Sequence, residues 1–292
     1  MSNMSKTSEV QKSFSDKDIK SQQVELKVGI LGTVNPDGLP HLTMVSTLQA
    51  CSPTKLVWGQ FTEGLSKGFI RENPKAGFLV MSLDRNVWRG KTTFTHTEQS
   101  GPEYDWYNNL PMFRYNAYFG IHTVYYMDLL EYFGMEPLPM GSIVGAAIKT
   151  MIARNISRGK DGKQVLNLWT RQLFNKLDNL KFIAFIDEDG YPLIIPVIQA
   201  QARNQEQILF STSAFDNELD SIPQGSTVAV FGLSLAMEDV LLRGQYLGSR
   251  RVGGFKCGLV QIQWVYNSMP PTPGQIYPEV ELKAVTSFKS EL

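Results

Sequence analysis

The sequence predicts a mainly β protein with a helical insert, built as two antiparallel barrels one after the other. Three observations predict it. Short β-branched and apolar runs are separated by Asp-Gly and Pro turns, a set of segments recurs at an offset of 152 residues, and a helical pattern precedes each copy.

At 292 residues the chain can bury two ordinary cores. Residues 1–20, "MSNMSKTSEVQKSFSDKDIK", are polar, lack the apolar stretch of a secretory signal and read as a flexible tail. A weak helical pattern overlaps its end in "DKDIKSQQVEL" (16–26). "VGILGTV" (28–34), the turn "NPDG" and "LPHLTMVSTL" then form a hairpin. "FTEGLSKGFIRENP" (61–74) opens with small polar residues, sets Ser66 beside Lys67 and stops at Asn73-Pro74. A short helix there would present unpaired amides and its positive end to an anion. "AGFLV" (76–80) returns as a strand, and Trp88-Arg89-Gly90 belongs to the next one.

The second copy repeats this order. "TVNPDGLPHLTMV" (33–45) aligns with "FIDEDGYPLIIPV" (185–197), Trp58 with Phe210, and "AGFLV" with "VAVFG" (228–232), all without a gap. Arg89-Gly90 and Arg243-Gly244 recur at an offset of 154, which implies a two-residue insertion. "VLNLWTRQLFNKL" (165–177) supplies the preceding helix, with Val165, Leu168, Trp169, Leu173 and Leu177 on one stripe. The resulting boundaries are a tail (1–20), a first barrel (21–97), a helical insert and linker (98–163), a second barrel (164–266) and an extended tail (267–292).

The insert is rich in rings. Residues 104–133 hold eleven aromatics, including seven of the chain's eleven tyrosines. Ile121, Val124, Tyr125, Leu129, Tyr132 and Phe133 fall on one helical face, as a docking helix requires, which leaves Tyr104, Trp106, Tyr107, Arg114 and Tyr115 as candidates for a lid over a planar ligand. "IVGAAIKTMIARNISRGKDGK" (143–163) continues as a helix into a basic linker.

Twenty-eight basic residues balance twenty-eight acidic ones, so nothing marks nucleic acid as the main partner. The apolar stretches fall short of a membrane span, and Cys51 and Cys257 form no disulfide framework, which suits a reducing cytoplasm. His41, His96 and His122 have no metal-ligand spacing, and no phosphate-binding Gly-rich loop or nucleophile elbow is present.

In order, "VGILGTVNPDGLPHL" followed by "KLVWGQFTEGLSKGFIRENPKAGFLVMS" resembles the pyridoxamine 5'-phosphate oxidase-like split-barrel flavoproteins, with Lys67 and Pro74 about a residue closer together than in that enzyme. The resemblance is good over residues 24–95 and fainter over 180–262. It implies two tandem split β-barrels of the FMN-binding type, with Thr62, Ser66 and Lys67 on the FMN phosphate. Thr43, Met44 and Val45 would line the ring edge, with Trp88 and Arg89 nearby. Thr43 stands where that family usually carries an arginine. Ser66 and Lys67 map to Glu218 and Leu219 in the second copy, where a carboxylate with no evident cation beside it would repel phosphate. The expected activity is an oxidoreductase moving electrons or hydride from a reduced donor to a small acceptor. The alternative is a noncatalytic carrier or sensor of flavin, haem or deazaflavin. The flavin would lie between two barrels, paired in a homodimer or within one chain, and catalytic side chains are not named because the cofactor carries the chemistry.

Overall fold

The structure is a computed structural model and describes residues 10–60, 62, 64–111, 113–114, 120–157, 162–268 and 273–280. It is mainly β and forms two domains, each an eight-stranded antiparallel sheet. The first contains β1 (Lys27–Val34), β2 (Pro40–Met44), β3 (Gln49–Ser52), β4 (Lys55–Gln60), β5 (Lys75–Ser82), β6 (Asn86–Glu98), β7 (Thr123–Tyr132) and β8 (Glu136–Pro137). Its strands run in the order β2-β1-β5-β6-β7-β4-β3, with β8 on β6. The second contains β9 (Leu180–Ile186), β10 (Pro192–Pro196), β11 (Gln201–Ala202), β12 (Gln207–Ser211), β13 (Thr227–Leu233), β14 (Asp239–Val252), β15 (Phe255–Asn267) and β16 (Gly274–Tyr277). Its order is β10-β9-β13-β14-β15-β12-β11, so the seven-strand paths match strand for strand, while the eighth strands differ, β8 lying on β6 and β16 on β15, the counterpart of β7.

Neither sheet closes. Among the described residues no ladder joins β2 to β3, because the chain turns tightly between them, with Leu48 N donating to Val45 O at 3.0 Å. The closed barrel expected from strand count is therefore an open one. Among the described residues six α-helices are interspersed: α1 (Asp16–Gln22), α2 (Ser66–Glu72), α3 (Pro102–Asn109), α4 (Met140–Ile156), α5 (Leu168–Asn175) and α6 (Asp216–Asp220).

Three expectations about elements are corrected. The docking helix read over residues 121–133 is the strand β7, which lies between β6 and β4. Tyr125, Met127 and Leu129 face the first core while Val124 and Tyr126 face a second cluster with Tyr107 and Phe113. Burial of both faces removes the polar alternation that marks a strand. The first sheet thus draws β7 and β8 from beyond residue 97. The presumed tail is docked from residue 10 onward. Gln11 bridges Tyr132, Phe14 is 2% exposed in the first core, and Ser15 closes a capping box with Asp18 at the head of α1. The extended C-terminal tail forms a strand in its described part, where β16 pairs with β15. The α5 stripe is narrower than its periodicity implied, since Leu168 and Leu177 are exposed while Leu173 and Phe174 are buried.

The two sheets share a core. Ile30, Leu42, Leu79 and Val87 of the first pack with Phe182, Ile194, Ala229 and Phe231 of the second. Close approach depends on two glycines paired across β1 and β5, Gly32 and Gly77. A Cβ on Gly77 would fall 2.1 Å from the Pro192 carbonyl oxygen, and one on Gly32 would meet the Pro192 ring at 3.1 Å. Their counterparts across β9 and β13 are also small, Ala184 and Ala229. At the rim, Lys91 binds Asp187 and Asp189 of the β9–β10 turn at 2.9 and 2.6 Å.

Candidate functional site

Two corners lie where the sheets meet, one at each short helix that follows a sheet's β4-type strand. The first is built on α2. Its terminal residue outside the helix is Leu65, which makes no side-chain cap, so Ser66 is the first helical residue. Its hydroxyl is instead 2.6 Å from that of Thr43 on β2, and Ser66 is 4% exposed. The opposite side of α2 is anchored by Ile70 in the first core. Phe69 meets the His41 ring edge-on at 5.2 Å, and His41 in turn meets Tyr266 of β15 at 5.8 Å. Tyr266 stacks on Trp264 with centroids 5.3 Å apart, and the Arg243 guanidinium lies 3.8 Å over the Trp264 ring. Through Phe69 and His41, α2 therefore connects to an aromatic and cationic wall supplied by the second half.

That wall has unused donors. Arg243 Nε and His41 Nδ1 are buried and have no hydrogen-bond partner among the described residues. Burial pushes His41 down to about 3, with Arg243 adding to the effect, so the imidazole is neutral at ordinary pH. Burial also lowers Arg243, and Asp37 in the β1–β2 turn partly restores it.

The second corner is the counterpart at α6, and its chemistry is inverted. Glu218 stands where Ser66 stands, Ile195 where Thr43 stands and buried Leu219 where Lys67 stands. The absence of a cation beside Glu218, expected from sequence, is corrected: Arg89 of β6 reaches across and binds both Glu218 carboxylate oxygens. The same guanidinium binds Glu136 at 3.2 Å and donates to the Ile194 carbonyl at 3.4 Å. Its rise above the usual arginine range is opposed by burial and driven by Glu218 and then Glu136. A cavity of about 590 Å³ opens beside this pair.

The residues singled out by sequence separate accordingly. Thr43 and Ser66 meet at the first corner, with Lys67 next along α2, Thr62 exposed just ahead of α2 and Met44 half-buried at the end of β2. Val45 is in the first core, and its amide is taken by Gly29 O, so it has no backbone donor to offer. Trp88 is in that core too, donating to Asp18 at 2.8 Å, and is a packing residue. Arg89 belongs to the second corner. Tyr107 is no lid: it is fully buried and donates to the Thr47 carbonyl at 2.7 Å. Tyr104 packs beside it, Trp106 and Arg114 are exposed, and Tyr115 lies outside the described residues. Sequence reasoning missed Arg243, Trp264, Tyr266 and His41 as members of the first corner. The recurrence of Arg-Gly at 89 and 243 is not a recurrence of place: Gly77 pairs with Lys91 and its counterpart Ala229 with Arg243, while Leu79 pairs with Arg89 and its counterpart Phe231 with Leu241. The offset therefore stays at 152 along β6 and β14, the expected two-residue insertion is absent, and Arg243 stands where Lys91 stands.

No family model matches the chain, and no curated protein does. Among solved structures, an FMN-binding protein from Syntrophomonas wolfei subsp. wolfei is 14% identical with a TM-score of 0.35, over 40% of this chain and 82% of that one. A FAD-binding protein from Mesorhizobium loti is 14% identical with a TM-score of 0.24, over 42% of this chain and 96% of that one. The Bacillus subtilis inhibitor of motility is 6% identical with a TM-score of 0.25, over 82% of this chain and 88% of that one. At this level of likeness the chemistry has to be argued from the chain's own residues. Among the described residues no cluster could hold a metal ion, and no helix is long and apolar enough to cross a membrane.

Proposed function

We propose that the chain is a flavin-binding protein of two tandem split barrels, with FMN held at the first corner, and that it is an oxidoreductase of the reducing cytoplasm. The carrying observation is the contrast in charge between corners: Arg243 keeps a buried Nε without a partner, whereas Arg89 is bound by Glu218 and Glu136. An anion gains most where a cation is unneutralised. The donor set fits a ring-bearing phosphate. Ser66, Thr43 and Thr62 would offer hydroxyls, Lys67 and Arg243 charge, and Tyr266, stacked on Trp264, an aromatic ring. A bound flavin would supply the electron or hydride transfer. The chain's own residues would fix its phosphate, cover its ring and exclude water. We read the shared core as the pairing of barrels expected for this family, met here within one chain, and the second half as a copy that has given up its anion corner.

The test is the visible spectrum of the purified protein. Two flavin bands are expected, with FMN content lost in Lys67→Glu while far-ultraviolet circular dichroism is unchanged. Bleaching by NADH or NADPH with recovery in air would mark an oxidoreductase; a yellow protein inert to both would be a carrier. Colourless protein with no thermal shift on adding FMN would sink the reading.

A further inference from the structure

We propose that the second corner is a separate binding site, for a small organic cation with an apolar or aromatic body. It does not rest on a flavin occupying the first corner. The cavity there measures about 590 Å³, within the range of small-molecule pockets. Its walls come from both sheets and are mostly hydrocarbon, including Phe133, Leu138, Phe185, Leu193 and Phe215. Four charged residues line it, Arg89, Glu136, Asp216 and Glu218.

The balance of those charges selects the ligand. One guanidinium faces three carboxylates, and its charge is already engaged by Glu218 and Glu136. Arg89 is 5% exposed, held between the Phe133 and Phe215 rings at 5.1 and 5.9 Å, so it is not available to an incoming anion. Glu218 keeps a side-chain exposure of 37% and Asp216 is exposed, which leaves carboxylate surface in the lining of the cavity. A phosphate or carboxylate would meet that surface at low dielectric and be repelled. An ammonium would be attracted by it while its apolar body filled the space between the rings.

Three phenylbutyl probes of one shape test this on the full chain by isothermal titration calorimetry: 4-phenylbutylamine, 4-phenylbutanol and 4-phenylbutyrate. The amine is expected to bind at least about tenfold tighter than the alcohol, and the carboxylate weakest. Asp216→Asn, at an exposed position, should reduce the preference for the amine without unfolding the chain. Ser221→Trp, which fills the cavity, should abolish binding of all three. Equal affinities, preference for the carboxylate, no binding, or displacement of the amine by FMN would each overturn the proposal.

Discussion

The two corners occupy equivalent places in two sheets of one topology, yet they solve opposite electrostatic problems. Each contains an arginine from the other half's long strand resting on an aromatic ring, Arg243 on Trp264 and Arg89 near Phe133. Opposite Arg89 the helix brings Glu218, and the arginine is neutralised. At the first corner the helix brings Ser66, hydrogen-bonded to Thr43, and Arg243 keeps a buried nitrogen without a partner among the described residues. Three differences around a short helix, Glu218 for Ser66, Leu219 for Lys67 and Ile195 for Thr43, thus separate a corner clasped by an ion pair from one lined by hydroxyls. The two arginines are not counterparts in the shared topology, since Arg243 stands where Lys91 stands and Arg89 where Leu241 stands, so local sequence sets both where each arginine lies and what it binds.

The largest effect is expected from breaking the clasp. Arg89→Met leaves Glu218 and Glu136 against hydrocarbon without their cation, and should destabilise the chain by about 3 kcal/mol, near the low end for a broken buried pair because both carboxylates are partly solvated. Chemical denaturation measures it. Adding Glu218→Leu should recover more than half of the loss, because the repelled carboxylate is then gone. If Arg89→Met is as stable as the parent, the second corner is not clasped and the contrast fails.

A second, smaller effect separates the corners by pH. His41 is 2% exposed and its imidazole is pushed down to about 3 by burial and by Arg243, with Asp37 the nearby acidic group that acts on Arg243. A depressed histidine makes the unfolded chain the better proton binder, so its contribution is fully present above about pH 6.5 and is lost as pH falls towards 3. By pH 5 the loss should reach about 2 kcal/mol. His41→Gln, compared with the parent at pH 7 and pH 5, should flatten that part of the profile. Leu193 holds the equivalent place in the second half, and Leu193→Met should leave the profile unchanged. Identical profiles for parent and His41→Gln would remove the histidine from the first corner's electrostatics.

Much of the fold was legible because local signals agreed with it. The Asp-Gly turns set both hairpins, and the offset of 152 places β2 on β10, β4 on β12 and β5 on β13. What failed did so for physical reasons. β7 carries apolar side chains on both faces, so its period was lost, and its aromatic density was read as a helix face. Phe14 and Gln11 anchor the N-terminal segment through single long-range contacts that no local pattern announces. At the site, Ser66 and Lys67 could be read from their own neighbourhood. Arg243, Trp264 and His41 could not, because they come together only when two sheets separated by most of the chain length share a core. The same limit hid Arg89 from Glu218, 129 residues away.

The smallest effect bears on the hydroxyl pair itself. The Thr43 and Ser66 oxygens are 2.6 Å apart, and Ser66 is buried, so removing either hydroxyl strands the other. Ser66→Ala and Thr43→Val should each cost about 1 kcal/mol, and the double variant should cost less than their sum. Stability alone would make this a packing detail. The comparison with the second corner adds a ligand readout, because Ile195 and Glu218 show that the fold holds without any hydroxyl at these positions. If the pair is there to receive a phosphate, Ser66→Ala should weaken FMN retention by about tenfold, the loss of one hydrogen bond to a charged acceptor. Riboflavin, which lacks the phosphate, should bind parent and variant alike. A variant that loses riboflavin and FMN equally would place the hydroxyls under the ring, and one that loses neither would return them to packing.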